Sequence, residues 1–219
     1  MTNDTLPGRS SQPELLVLHS VRIQGMADED AVAGRFGLDT AGTREILLDD
    51  EAYGWVSHAV FTGTSGWSMT ERGRTEDDRR LAEELQQAGA RSTVESVHER
   101  FGPLNARLLQ ACTDWQLRAD GDERLVPNAH TDPEWDARVL DELETLEAEL
   151  EPLVAELSQA LERFEGYDRR FSSALARARA GQGEWVAGTG VASCHAVWME
   201  LHEDLISTLG IDRAATAGQ

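Results

Sequence analysis

Lysine is absent from this chain: all twenty basic residues among the 219 are arginine, set against forty Asp and Glu for a net charge of -20. An arginine-only set of cations reflects codon composition more than chemistry, although each guanidinium can still fork onto a phosphate or a guanine. The charge removes long-range attraction to nucleic acid, so any contact with DNA has to be local. Cysteine is scarce too, with only Cys112 and Cys194 and no CxxC spacing, which excludes a disulfide framework and a cysteine-rich zinc site. No apolar run reaches the roughly 18 residues that a bilayer span needs, and the start MTNDTLPGRSSQP has neither a basic n-region nor an apolar h-region. A cytoplasmic protein without a membrane partner is expected. No GxGxxG, P-loop, GxSxG or HExxH occurs, and the glycine segments Gly63–Gly66 and Gly188–Gly190 are too short to cradle phosphate. Acids are so frequent that no carboxylate pair stands out. An enzyme is therefore not expected, and neither a catalytic residue nor a cofactor is assigned.

With 40% apolar residues the chain has ample material for a buried core. Residues 1–12 read as a disordered tail rich in small polar residues and proline. Pro13 suits a helical first turn, and ELLVLHSVRIQ (Glu14 to Gln24) is amphipathic. DEDAVAGRF (Asp28 to Phe36) forms a second helix closed at Gly37, and Asp39-Thr40 caps a third, TAGTREILLDDEAY, stopped by Gly54. WVSHAVF (Trp55 to Phe61) and WSMT (Trp67 to Thr70) then form a hairpin across a five-residue turn, Thr62 to Gly66.

The order of helix, tight turn, helix ending in Gly-Trp-Val, β-ribbon and Thr70-Glu71-Arg72-Gly73-Arg74 resembles the winged helix-turn-helix of MarR-like transcription regulators. In that family a Leu-Thr-x-x-Gly-Arg run closes the wing, and Met69 to Arg74 stands in its place. The likeness covers roughly Gln12 to Arg74. It implies a mainly α fold with a small β-hairpin wing: a winged domain at 13–80 and an all-α effector and dimerisation bundle at 81–219. The family usually carries an extra dimerisation helix in front; here dimerisation falls to the C-terminal part. Two departures are Asp50, where the pattern carries a core Leu, and a wing tip without a cation. The resemblance implies double-stranded operator DNA as partner, with Arg44 reading a base edge, Thr40 and Thr43 on phosphate, Arg72 and Arg74 anchoring the wing, and Arg79 placed after it for backbone phosphate contact. Pairing of the last arginines with Glu76, Asp77 and Glu83 along a helix is the competing assignment. The third helix would present Ala41, Arg44, Glu45 and Leu48, with one cation among acids. The rival reading is thus a non-enzymatic adaptor that binds a protein. Similar winged modules occur appended to pyruvate phosphate dikinase-type phosphotransfer enzymes.

Past the hairpin, Thr75 caps a helix to Ala90, and Ser92 with Glu95 opens a long helix to Arg118 that Gly102-Pro103 should kink or break. Arg118 to Pro133 reads as a polar loop. A long helix from Pro133 follows, with Trp135, Val139, Leu143, Leu146, Leu150, Leu153, Leu157, Leu161 and Phe164 in a heptad-like stripe interrupted by Pro152. That stripe is bundle core and a candidate seam for a homodimer. Helices over Asp168–Gln182 and Val191–Leu209 complete the chain. His195, Trp198 and His202 share a helix face, and Trp115, Arg118, His130 and Trp135 cluster around the polar loop. Together they could bind a small anionic effector through an Arg fork, histidines and aromatic walls. The bland assignment is bundle core with locally satisfied histidines. A metal at His130, Asp132, His195 and His202 has the wrong spacing, and none is expected.

Overall fold

The computed structural model describes residues 10–61, 64–120 and 124–211 and is mainly helical, with a small antiparallel sheet. Pro13 opens α1 (Pro13–Gln24), and Gly25, at φ 78°, ends it. A two-residue strand, β1 (Met26–Ala27), follows. The Asp28 side chain caps α2 (Glu29–Phe36) by accepting from the Ala31 N–H, and Asp39 does the same for α3 (Thr40–Ala52) through Gly42. Strands β2 (Val56–Phe61) and β3 (Thr64–Met69) form the hairpin, and the sheet order is β1-β3-β2.

Two expectations are corrected here. The turn is tighter than Thr62 to Gly66, because Ser65 and Gly66 already pair with Val60 and Ala59 and the strands meet at Phe61 and Thr64. Gly66 permits this, since a Cβ there would stand 3.1 Å from the Ala27 carbonyl of β1. The run Met69 to Arg74 joins the end of β3 to the start of α4 (Glu71–Ala88), whose cap is Thr70 and not Thr75. The Thr70 hydroxyl accepts from the Gly73 N–H and donates to the Gly54 carbonyl at 2.7 Å, which ties the hairpin's base to the new helix.

The remaining elements are α5 (Arg91–Gln116), β4 (Leu117–Asp120), β5 (Arg124–Pro127), α6 (Pro133–Ala160), a 3-10 turn at Glu162–Phe164, α7 (Tyr167–Arg179), α8 (Glu184–Ala187) and α9 (Cys194–Leu209). The polar stretch after Arg118 is therefore not a loop: β4 and β5 pair antiparallel, with Arg118 opposite Val126. Neither Pro103 nor Pro152 divides its helix. Both lie on exposed faces, and so do Glu99 and Ala148, whose carbonyls lose the N–H donor. The last helix starts at Cys194 rather than Val191, with Ser193 capping Ala196. Among the described residues no helix is long and apolar enough to cross a membrane.

The chain folds into two compact units that do not follow chain order. Among the described residues, the first holds those up to Val94, Gln159–Arg163 and those from Glu203 onward, and the second Glu95–Ser158 and Phe164–His202; the division expected after residue 80 falls later and is discontinuous. The first unit has two cores. Val17, Leu18, Val21, Val32, Leu47, Val56 and Trp67 make the apolar one. The other is ionic: His19, wholly buried, lies 3.1 Å from Asp77 through Nδ1 and 3.1 Å from Asp204 through Nε2. Arg163, equally buried, binds Asp204, Glu84 and the Thr208 hydroxyl, while Arg22 bridges Asp77, Asp78 and Glu203. Burial alone would lower the His19 pKa, but the flanking Asp77 and Asp204 carboxylates outweigh it and raise the value to about 9, so the ring is cationic at neutral pH. These contacts draw the last turns of α9 and the 159–163 segment into the first unit.

In the second unit the stripe from Val139 to Leu157 is buried, at most 5% exposed at any of its leucines and valines. It is spent inside the chain and is not open to serve as a dimer seam. Trp198 is fully buried, stacked on Phe101 at 4.8 Å and tilted against Phe171, with its indole N–H donating to Asn105. Fully burying such side chains is worth about 1.5–3 kcal/mol each.

Candidate functional site

Two places in the molecule gather the residues marked for function, one in each unit. In the first unit, α3 turns Thr43, Leu47 and Asp50 inward. Its outer side carries Ala41, Arg44, Glu45, Leu48 and Asp49, and Glu51 and Tyr53 continue the exposed surface at its end. Leu48 is 48% exposed, Tyr53 59% and, on the neighbouring strand β2, Val60 71%. Apolar groups standing in water among acids are the signature of this surface.

The six residues assigned to DNA fare unequally. Thr43 is buried, its hydroxyl enclosed and out of reach of a phosphate, so its assignment is corrected. Thr40 is exposed at the first turn of α3, 3.4 Å from Asp30. Arg44 is exposed, with Glu29 3.7 Å away. Arg74 lies 3.7 Å from Glu203. Arg79 is clamped by Glu76 at 2.8 Å and Glu83 at 2.5 Å, the pairing along the helix that competed with DNA contact. Asp77 takes no part in that pairing, because it faces inward to His19. Arg72 is exposed and makes no ion pair among the described residues. The site as a whole offers few uncommitted cations.

Beneath this face sits a group that composition alone did not mark. Asp50 is 3% exposed, and one of its carboxylate oxygens has no partner. Burial raises its pKa to about 7 against the opposing pull of Arg80, with Asp49, Glu76 and Glu14 adding to the rise.

In the second unit the hairpin β4–β5 folds the polar segment back onto the end of α5, which brings Trp115, Arg118, His130 and Trp135 together. The Trp115 and His130 rings stand 4.6 Å apart, and the Arg118 guanidinium lies 4.7 Å over Trp135. His130 is the one non-glycine with positive φ among the described residues, at 53°. Such a conformation costs about 1–2 kcal/mol. Asn128, missed in the sequence, holds it: its side chain accepts from the His130 N–H and donates to the Trp115 carbonyl and to Asp136. The His130 ring in turn meets Asp136 at 3.0 Å, and Arg118 meets Asp132 at 3.1 Å. The Arg fork and the histidine expected to take an anion are thus already matched by acids.

Behind Trp135, α5 and α6 enclose an open cleft of about 330 Å³. The remaining three residues assigned to a ligand do not line it. Trp198 is core, a correction that its complete burial makes plain; His195 is half-buried, with its pKa lowered by burial, and His202 faces the Phe101 ring at 5.8 Å. Burial pushes the thiols of Cys112 and Cys194 up to about 12, so both are protonated and poor nucleophiles or soft donors. No group of three or more His, Cys, Asp or Glu among the described residues is arranged to hold a metal ion.

Comparison with family models, with curated proteins and with solved structures finds no match for this chain. Its function has to be argued from the sites themselves.

Proposed function

We propose that the protein is a non-enzymatic adaptor whose N-terminal, winged-helix-like unit binds a partner protein through the outer face of α3. The observation that carries this reading is that face's chemistry: exposed Leu48 and Tyr53 among Glu45, Asp49 and Glu51, with Arg44 its single cation. A phosphate backbone repels such a surface, whereas a protein surface with basic residues around an apolar patch matches it on both counts. The resemblance supplies a partner class, a phosphotransfer enzyme of the pyruvate phosphate dikinase type, and such a partner places the adaptor in the cytoplasm.

A second reading, a dimeric transcription regulator, is favoured by the element order α1-β1-α2-α3-β2-β3 and by Arg72, exposed and without an ion pair among the described residues. One pair of measurements separates the two. Affinity purification of the tagged full chain should recover a single stoichiometric protein and no DNA, and Leu48→Arg, an exposed change that leaves the core intact, should lose that protein. A mobility shift at low salt with a fragment of its own operon, weakening linearly in log salt, would overturn the adaptor and establish the regulator.

A further inference from the structure

The cleft between α5 and α6 has balanced charge. Its lining includes Arg107, Arg138, Asp114 and Glu142 together with apolar Ala111, Val139 and Trp135. Half of these charges are already committed. Arg107 binds Glu142 at 2.7 Å and Glu149 at 2.6 Å, so it and Glu142 neutralise each other. What remains is one group of each sign. Arg138 makes no ion pair among the described residues, and its guanidinium lies 5.1 Å over the Trp135 ring, a cation–π contact that orients it without neutralising it. Asp114 accepts from Gln110 at 2.8 Å through Oδ1 alone, which leaves Oδ2 for a ligand. The wall is preorganised, because the Trp135 indole N–H donates to the Asp114 main-chain carbonyl at 2.8 Å and fixes ring and backbone together.

We propose that this cleft binds a free α-amino acid with an apolar side chain: its carboxylate on Arg138, its ammonium on Asp114 Oδ2, its side chain over Ala111, Val139 and Trp135. A simple anion, the ligand expected from the sequence, gains Arg138 but meets Asp114. A simple cation gains Asp114 but meets Arg138. Only a molecule with both charges pairs with both groups. The volume, about 330 Å³, lies at the small end for ligand sites and suits a molecule of this size. This inference stands apart from the adaptor reading, since it concerns the other unit.

Calorimetric titration of the full chain with L-leucine, L-valine, L-methionine and L-phenylalanine tests it, alongside 4-methylpentanoate and 3-methylbutylamine, which each keep one charge of leucine. At least one amino acid should bind with a Kd of about 1 mM or tighter, and each single-charge analogue about tenfold more weakly than leucine. Asp114→Asn should weaken leucine about tenfold and leave 4-methylpentanoate unchanged or tighter; Arg138→Gln should weaken leucine and 4-methylpentanoate alike. Both variants replace partly open side chains, and unchanged far-UV circular dichroism confirms their fold. Absence of binding by all four amino acids overturns the proposal. So does equal binding of leucine and its single-charge analogues, or of wild type and both variants.

Discussion

Replacing Asp50 by Asn should stabilise the protein, and by an amount that depends on pH. In the folded chain the Asp50 carboxyl is buried with an unpartnered oxygen and a pKa of about 7, against 3.8 for the free side chain. The folded value is raised, so the native state holds its proton longer than the unfolded state. The associated stability is therefore fully present at about pH 4 and is lost as pH rises to 7. At 1.36 kcal/mol per unit the full effect approaches about 4 kcal/mol at pH 8; halved for the screening that water reaching Arg80 and its neighbours supplies, about 2 kcal/mol remains. Asparagine has the shape of the neutral acid and never ionises. The difference in unfolding free energy between Asp50→Asn and wild type should thus widen by about 2 kcal/mol from pH 4 to pH 8, read from urea unfolding followed by tryptophan fluorescence. A difference that stays constant across that range, or that favours aspartate at pH 8, refutes the account. The same carboxylate stands where MarR-like sequences carry a core leucine, and its position on the inner side of α3 means that a change in its charge is felt at the proposed contact face.

Two further outcomes concern glycine packing and the buried histidine. Gly73→Ala should cost about 3 kcal/mol in the same urea assay, because the new Cβ would fall 1.9 Å from the Trp55 carbonyl oxygen, whereas Gly102→Ala, with nothing within 4 Å, should gain about 0.5–1 kcal/mol. His19, raised from 6.5 to about 9, contributes stability that is complete below pH 6.5 and fades as pH rises through 9, so unfolding midpoints should fall between pH 7 and 10 and His19→Gln should flatten that fall.

Local chemistry was legible where it is decided locally. Pro13, Asp28 and Asp39 marked the starts of α1 to α3 because an N-cap or N1 residue acts within one turn of its own position. The start of α4 was misjudged since Thr70 and Thr75 are equally good caps in isolation; the choice falls to Gly73, which packs on Trp55, eighteen positions earlier. Prolines 103 and 152 were read as breaks because sequence does not show that both face solvent, where a helix tolerates the lost hydrogen bond. The β4–β5 hairpin was hidden by its polar composition, for it covers no core of its own. At the candidate sites, Trp115, Arg118, His130 and Trp135 were rightly grouped, being close in sequence. The acids that occupy them were not foreseen, and the buried set of His19, Asp77, Asp204 and Arg163 joins positions up to 185 apart along the chain.

With two acids for every base in the chain, an arginine here meets a carboxylate by default, and the usual inference from surface charge has to be inverted. An acidic patch carries little information, because acids are the background; a salt bridge such as Arg79 with Glu76 and Glu83 carries little more, because exposed pairs of this kind contribute about 0–1 kcal/mol and form wherever geometry allows. Informative positions are those that depart from this background. Arg138, held over an indole instead of an acid, and Leu48 and Tyr53, apolar and exposed where glutamate and aspartate surround them, are such positions. Folding does not require any of the three to stand as it does, since each leaves a guanidinium unneutralised or apolar surface in water. That is the physical ground for locating a ligand at the first and a protein partner at the other two.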